Sequence, residues 1–453
     1  MTADLVVLGG GFRGLVTSFR LLEEGYHVTL IERSKHCGGV LRSVNWDGLF
    51  CDLGCHLFDN TNSDLVDVVV RMAGGPQHFR TVDVHYRSIF NKKKTNGMAV
   101  VDLSTLGEKF RENYLKDFAG LVKTLPENDH SLEDALRYRY GETIGNILVP
   151  IAQRVYANQT SNLCYSTIEQ GLFKRVRIAE SETTNDLRRD QHLDQILASP
   201  VGEVEQRFDR AKSTHFGRNF YPKTRGMYGF VEQVIENIKK LGGNIISEAV
   251  IKSVTQRGSK IILETAKCET IAADKVFSTL PTRINEHMVL GTTEVPTDMD
   301  VPLILFLART NISNIGQLTY VHNFDPRSLV FRSSSPGAYS TQIDRNGLSY
   351  ICAECPVDVA SATYQNPSEP LYDLVQTEMI DHGMLKAESE VVDWKVIKTP
   401  KSITLPSVGS HIIETETKQK IEKKFPNFIC MNNRSFSKNS IIADVENTIE
   451  AHK

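Results

Sequence analysis

Asp4-Leu5-Val6-Val7-Leu8-Gly9-Gly10-Gly11-Phe12-Arg13-Gly14 is followed, after a helical stretch closed by Gly25, by His27-Val28-Thr29-Leu30-Ile31-Glu32. An apolar run, a glycine turn, a helix and a second β-rich run predict a βαβ unit, whose parallel strands need a crossover helix. Gly9 to Gly14 fits G-x-G-x-x-G. In that pattern the first glycine makes a tight turn, the second admits a pyrophosphate to the backbone, and the third lets helix and strand pack closely. A pyrophosphate would then sit at a helix N-terminus, where N–H groups and the helix dipole favour anions. Glu32 ends the second strand 18 residues after Gly14, where a carboxylate can take ribose hydroxyls. The expectation is an α/β protein with a Rossmann-type dinucleotide-binding domain.

Composition is consistent with this and narrows it. The 453 residues carry 52 basic and 55 acidic side chains, a net charge of −3, and 40% are hydrophobic. Such length suggests two or three domains. The charge balance offers no global reason to bind nucleic acid or an anionic membrane, and no apolar run approaches the ~20 residues of a membrane span. Asp4 stands where a secretory leader would be basic, and the apolar run breaks at once into glycines, so it does not read as a signal peptide. The eight cysteines are scattered, which speaks against a disulfide framework and for a cytoplasmic protein. Cys352-Ala-Glu-Cys355 lies in a strand-like stretch with no second pair and reads as structural, so no metal is expected.

Outward from the first unit the texture changes. Residues 64 to 215 read as helix-like segments, including SLEDALRYRYGETIGNILVPIAQRVY, broken by polar loops. A helix over MYGFVEQVIENIKKLGG and strands near NIISEAVIKSV, KIILET and KVFSTL restore the α/β texture. Residues 296 to 415 are strand-rich, and NFICMN precedes a helix-like tail from Asp444. The interleaving suggests a discontinuous dinucleotide-binding domain over 1–70, 220–295 and 416–453. An inserted, mixed α+β substrate domain would take 71–219 and 296–415.

Arg33-Ser34-Lys35-His36-Cys37-Gly38-Gly39-Val40-Leu41-Arg42-Ser43 and Phe50-Cys51-Asp52-Leu53-Gly54-Cys55-His56-Leu57-Phe58 come next. With the glycine motif and Glu32, their G-G-x-x-x-[ST] and D-x-G-x-H elements resemble the flavin-dependent amine oxidase superfamily. That group includes protoporphyrinogen oxidase-like and UDP-galactopyranose mutase-like flavoproteins. Tyr221-Pro222-Lys223-Thr224-Arg225-Gly226-Met227 is similar to its YPKGGM segment, with Arg225 for a glycine, and Ala273 to Pro281 to its ADxVVxTxP turn. The resemblance implies FAD along Gly9, Gly11, Phe12, Arg13 and Gly14, at Glu32 and Arg33, and along Gly38 to Arg42. It implies the isoalloxazine near Gly54, His56, Leu57 and Phe58, the adenine near Val250, and Thr279 beside the cofactor. At the C-terminus Arg434 fits the Arg of a Gly-Arg pair, with Asn433 for the glycine, and Asp444 to Ile449, including Val445 and Glu446, resembles a segment whose helix N-terminus faces the flavin pyrimidine. His56 and Arg434 are the candidates nearest the chemistry.

Flavin enzymes need little acid–base machinery of their own, because the cofactor accepts the hydride. The resemblance therefore implies an FAD-dependent oxidoreductase that takes a hydride from a small-molecule substrate. The alternative is a mutase-like enzyme acting on a sugar nucleotide with reduced flavin and no net redox change; a regulatory flavin-binding role is a third reading. Against a true galactopyranose mutase, Tyr156 stands where that family has Trp, its Asp-Pro is missing after Ala157, and Leu57-Phe58-Asp59 lacks its second histidine. Against a carotenoid-type desaturase, no greasy docking stretch is evident. Lys174, Arg175, Arg177, Arg188, Arg189, Arg207, Arg210, Lys212 and Arg218 would suit an anionic substrate. Glu180, Glu182, Asp186, Asp190, Asp194, Glu203, Glu205 and Asp209 interleave with them, so a solvated, salt-bridged face is expected instead.

Overall fold

A computed structural model of the chain describes residues 4–119, 130–198, 216–296, 298–431 and 434–453. The opening stretch forms the strand β1 (Asp4–Leu8), the helix α1 (Phe12–Glu23) and the strand β2 (His27–Ile31). They sit in a five-stranded, all-parallel sheet in the order Asn244–Ile246, β2, β1, Lys275–Ser278, Phe428–Cys430. A parallel sheet must be covered on both faces, and the pleat assigns residues to each. Leu5, Val7, Leu30 and Phe277 join the core under α1 and the helices Gly226–Lys240 and Lys438–Ala451. Val6, Leu8, Ile31 and Val276 join the opposite core, shared with the antiparallel strands of Ile251–Ala273 and with Ile421 of the helix Ser410–Lys424.

The second large sheet has seven strands in the order Asp393–Leu405, Met299–Asn311, Leu348–Pro356, Arg332–Ser334, Tyr320–Asn323, Tyr86–Phe90, Lys93–Asn96. All its pairings are antiparallel except that of Tyr320–Asn323 with Tyr86–Phe90. Alternation again divides the residues. Leu303, Leu305 and Leu307 face Trp46 and Cys51, whereas Ile304, Phe306 and Ala308 face the helix Glu369–His382 through Val375 and Met379. Cys352 falls in the first group and Cys355 in the second, so the two thiols lie on opposite faces and cannot share a ligand. Among the described residues no group of three metal-binding side chains occurs, and no helix is long and apolar enough to cross a membrane.

The helix-like stretch after Ser131 is the helix Leu132–Val155, started by a capping box of Ser131 and Asp134 and broken at Gly141, whose φ of 79° and ψ of 168° are non-helical. The tail differs from its sequence reading. Its helix begins at Lys438, capped by Ser437, so Asp444 lies in the second turn rather than at the start. Ser437 and Ser440 share a hydroxyl contact, and Ser437 caps Ser440 N, which explains why six polar and apolar residues before Asp444 are already helical. The interleaved charges are paired as expected: Arg177 with Asp102 and Glu180, Arg188 with Asp194, Arg189 with Asp186, and Lys174 with Glu169. Arg175 donates to Leu197 O. Arg207, Arg210, Lys212, Glu203, Glu205 and Asp209 lie outside the described residues, as does Asn433.

Candidate active site

The glycine loop is held by contacts that leave no room for side chains. Gly9 has φ +98°, and its N–H donates to Ile31 O (2.8 Å). A Cβ on Gly9 would stand 2.5 Å from Thr279 Oγ1, which itself donates to Leu8 O (2.8 Å). A Cβ on Gly14 would lie 1.8 Å from Gly9 O, so this glycine sets the approach of helix to strand. Gly11 is different. It is the N-cap of α1 with ordinary φ of −70°, no side chain caps the helix, and a Cβ there would meet nothing within 4 Å. The space beside Gly11 at the head of α1 is therefore open, and a helix N-terminus without a side-chain cap suits a phosphate.

Around that space the second glycine pair closes in. Gly38 N donates to Gly10 O (2.7 Å), and a Cβ on Gly39 would be 3.2 Å from Gly11 Cα. Glu32 accepts from Gly10 N (2.7 Å) and Ser34 N (2.8 Å), which fixes its carboxylate beside the loop. Val40 and Val250 are exposed, and Ala249 N donates to Glu32 O, placing Val250 next to Glu32. Arg33 and Arg42 are exposed on the same rim. The side chains of Phe12, Leu41 and Phe58 turn away into the core. Phe58 lies among the rings of Phe12, Phe79, Phe220 and Phe230, so these three residues offer a ligand only their backbone.

Asp52 ties the D-x-G-x-H segment to the tyrosine segment. Its carboxylate takes hydrogen bonds from Ser43 Oγ (2.5 Å), Tyr221 Oη and Met227 N (3.1 Å), and its N–H donates to Tyr350 Oη (2.7 Å). Burial pushes its carboxyl up to about 6 against those bonds. Gly226 has φ +59°, and a Cβ would fall 2.7 Å from Asp52 Oδ1. Arg225, in the family's glycine position, keeps a left-handed φ of 58°; it ion-pairs with Glu232 (2.6 Å) and lies over the rings of Phe50 and Tyr228.

Past Asp52 the segment meets the seven-stranded sheet. A Cβ on Gly54 would be 2.9 Å from Glu354 Oε1 and 3.4 Å from Arg332 Nη2. Glu354 and Arg332 face each other across neighbouring strands and form a forked pair at 2.5 and 2.7 Å. His56 lies here too; burial, with Lys438 and Arg332 adding repulsion, lowers its imidazole to about 3, so it is neutral. Lys438 donates to Leu57 O (2.8 Å) and stands 5.3 Å from the Phe58 ring centre; burial lowers its ammonium to about 8. Cys55 is raised to about 11 by burial. A cavity of about 200 Å³ opens over this wall, lined by Tyr156, Leu303, Phe331, Arg332 and Glu354 among others.

Arg434 lies elsewhere. It pairs with Glu414 (2.6 Å) and, with Arg13, Thr279 and Asp298, lines a separate cavity of about 290 Å³ nearer the glycine loop. Burial and the Glu414 charge raise Asp298 to about 6. Arg13 reaches Asp444 (3.5 Å). Val445 and Glu446 do not belong to this lining. Val445 is fully buried in the core, and Glu446 is bound by Arg20 at 2.5 and 3.0 Å, in the last turn of α1. Starting the helix at Lys438 turns both away from the loop. Arg332, Glu354 and Lys438 escaped the sequence reading; the one signal was a charge inside each of two otherwise strand-like runs, LVFRSS and LSYICAEC.

A model of the family described as "Flavin containing amine oxidoreductase" matches residues 14–299. The fold is shared, at 15% identity, by a reduced UDP-galactopyranose mutase (TM-score 0.70, covering 100% of this chain and 94% of that one). A candidate protoporphyrinogen oxidase from Exiguobacterium sp. 255-15 gives TM-score 0.68 at 15% identity over 100% and 99% of the two chains. Putrescine oxidase bound to putrescine gives 0.61 at 12% identity over 100% and 99%. A 4,4'-diaponeurosporene oxygenase of Staphylococcus aureus (strain USA300) is 39% identical over 54 residues, 12% of this chain and 11% of that protein. The match thus spans about a tenth of that relative's length.

Proposed function

The chain belongs to the flavin-containing amine oxidoreductases, and from that premise we propose that it removes a hydride from a small-molecule substrate seated in the 200 Å³ cavity. It is a flavin-dependent oxidoreductase with FAD as cofactor, and FAD, when bound, supplies the hydride acceptor. The residues present fit that cofactor. The open side of Gly11, the amides of the first turn of α1 and the close pair Gly38–Gly39 suit a pyrophosphate; Glu32 suits the ribose and Val250 the adenine. Arg13, Thr279 and Arg434 line the cavity that continues from the loop.

The observation that carries the reading is the contact of Gly54 with the Arg332–Glu354 pair. It gives the segment that resembles the flavin-facing part of the family a common wall with the 200 Å³ cavity. His56, held neutral, serves there as a hydrogen-bonding group rather than a charge, and Lys438 brings a cation that eases the arrival of negative charge. Segments 71–219 and 296–415 form the substrate side in this reading, and 1–70, 220–295 and 416–453 the cofactor side. Eight free thiols accord with a cytoplasmic location.

The test is a visible spectrum of the purified protein followed by anaerobic titration with candidate substrates. The expected result is a yellow protein whose flavin bleaches with its substrate. A colourless protein that cannot be reconstituted with FAD overturns the reading. Turnover of a nucleotide sugar only after chemical reduction, with no oxygen consumed, replaces it with the mutase-like alternative.

A further inference from the structure

The cavity above the Arg332–Glu354 pair is apolar on most of its wall, with Val155, Leu172, Val301 and Phe331 among its lining. Besides the Arg332–Glu354 pair and the Tyr156 hydroxyl, two buried polar atoms break that surface. Thr167 is 1% exposed and His322 is 7% exposed, and Thr167 Oγ1 and His322 Nε2 both lack a hydrogen-bond partner although both residues line the cavity. Leaving a buried polar atom unanswered is costly, so each points to a ligand group that completes it.

The chemistry of that group follows from the imidazole. His322 Nδ1 lies 3.2 Å from Ala99 O, and a carbonyl only accepts. Nδ1 therefore carries the proton, and burial keeps the ring neutral. Nε2 is left as a bare acceptor, which needs a donor. The charges on the wall are already matched: both oxygens of Glu354 are engaged by Arg332, and Lys438 acts on Arg332 as a further cation. An ammonium entering here would lose its hydration with no free carboxylate to receive it.

We infer that the cavity takes a neutral, largely apolar small molecule bearing a hydroxyl, which donates to His322 Nε2, with Thr167 as a second polar anchor, and that it disfavours a charged amine. This rests on the reading of the cavity as the substrate site. Its size, about 200 Å³, is below the roughly 300–1,000 Å³ common for ligand sites and suits a molecule of single-ring size.

The experiment measures binding of 2-phenylethanol, phenethylamine and propylbenzene to the FAD-loaded protein by calorimetry, in wild type and in His322→Phe and Thr167→Val. The expected result is that 2-phenylethanol binds at least about tenfold tighter than phenethylamine. Each variant should weaken 2-phenylethanol about fivefold, the loss of one neutral hydrogen bond, and leave propylbenzene within about twofold. Bound FAD and the unfolding midpoint report whether each variant is folded, and the near-isosteric Thr167→Val serves if His322→Phe is not. Tighter binding of phenethylamine, unchanged 2-phenylethanol affinity in both variants, or binding of none of the three overturns the inference. Bleaching of the flavin by a charged amine would sink it while leaving the redox reading in place; failure to take up FAD would sink that reading separately.

Discussion

The glycine loop at the head of α1 and the wall of the 200 Å³ cavity are built by opposite means. The loop is backbone: Gly9, Gly14, Gly38 and Gly39 work by what they lack, and a Cβ on any of them would strike a neighbour within 3.2 Å. The wall is side chain: Arg332 and Glu354 set a matched charge pair into a mostly apolar surface, and Gly54 only makes room for them. A site made of backbone depends on geometry within one short segment. A site made of side chains depends on register between distant strands, and it can be altered one group at a time.

The sharpest way to break this contrast is inside the loop. Gly14→Ala places a methyl 1.8 Å from Gly9 O and should destabilise the fold by on the order of 4 kcal/mol, read from denaturant unfolding. In the wall, Glu354→Ala leaves the Arg332 charge uncompensated. The expected cost is about 3 kcal/mol, and an unchanged midpoint would mean that the pair does not hold the sheet to the Gly54 turn.

A third test concerns Asp52, which ties Ser43, Tyr221 and Met227 together. Burial raises Asp52 to about 6, above the ~3.9 of an unfolded chain. The folded state therefore binds this proton more tightly than the unfolded state does. The stabilisation this provides is full below about pH 4 and is lost as pH rises through about 6, a swing of about 2–3 kcal/mol. Thermal melts of wild type and Asp52→Asn between pH 4 and 7.5 should show their difference shifting by that amount in favour of wild type toward low pH; parallel curves would contradict it. The smallest expected change in stability returns to the loop. Gly11→Ala meets no protein atom, so unfolding should move by less than about 0.5 kcal/mol, while FAD retention, followed by absorbance after gel filtration, is lost. Retention of FAD in that variant would count against the assignment of the loop.

How much could be read in advance follows the same division. The parallel unit, Glu32 and the Gly38–Gly39 and Asp52–His56 elements declare themselves because each function is performed within a few residues of sequence, by glycines and turns with few substitutes. Arg332 and Glu354 are 22 positions apart and meet only because their strands pair in one register. His322 and Thr167 come from different elements that line one cavity, and no spacing marks them. The surroundings of Val445 and Glu446 are hidden for a related reason: the helix start at Lys438 is set by Ser437, a local cap, whereas the resemblance draws attention to Asp444 further along. Arg225 shows the reverse, a departure from the family's glycine that leaves the backbone left-handed and recruits two aromatic rings instead.

The seven-stranded sheet has two open borders, Asp393–Leu405 on one side and Lys93–Asn96 on the other. Unpaired strand borders invite another chain to add itself through its backbone. Here one border carries Lys395, Lys398, Pro400 and Lys401 and the other Lys93 and Lys94. Proline withholds an amide, and lysines on a border strand hinder its pairing with another chain, although Lys94 and Lys401 are themselves ion-paired with Asp381 and Asp300. The sheet that shapes the cavity thus ends on both sides in strands whose residues disfavour edge-to-edge pairing.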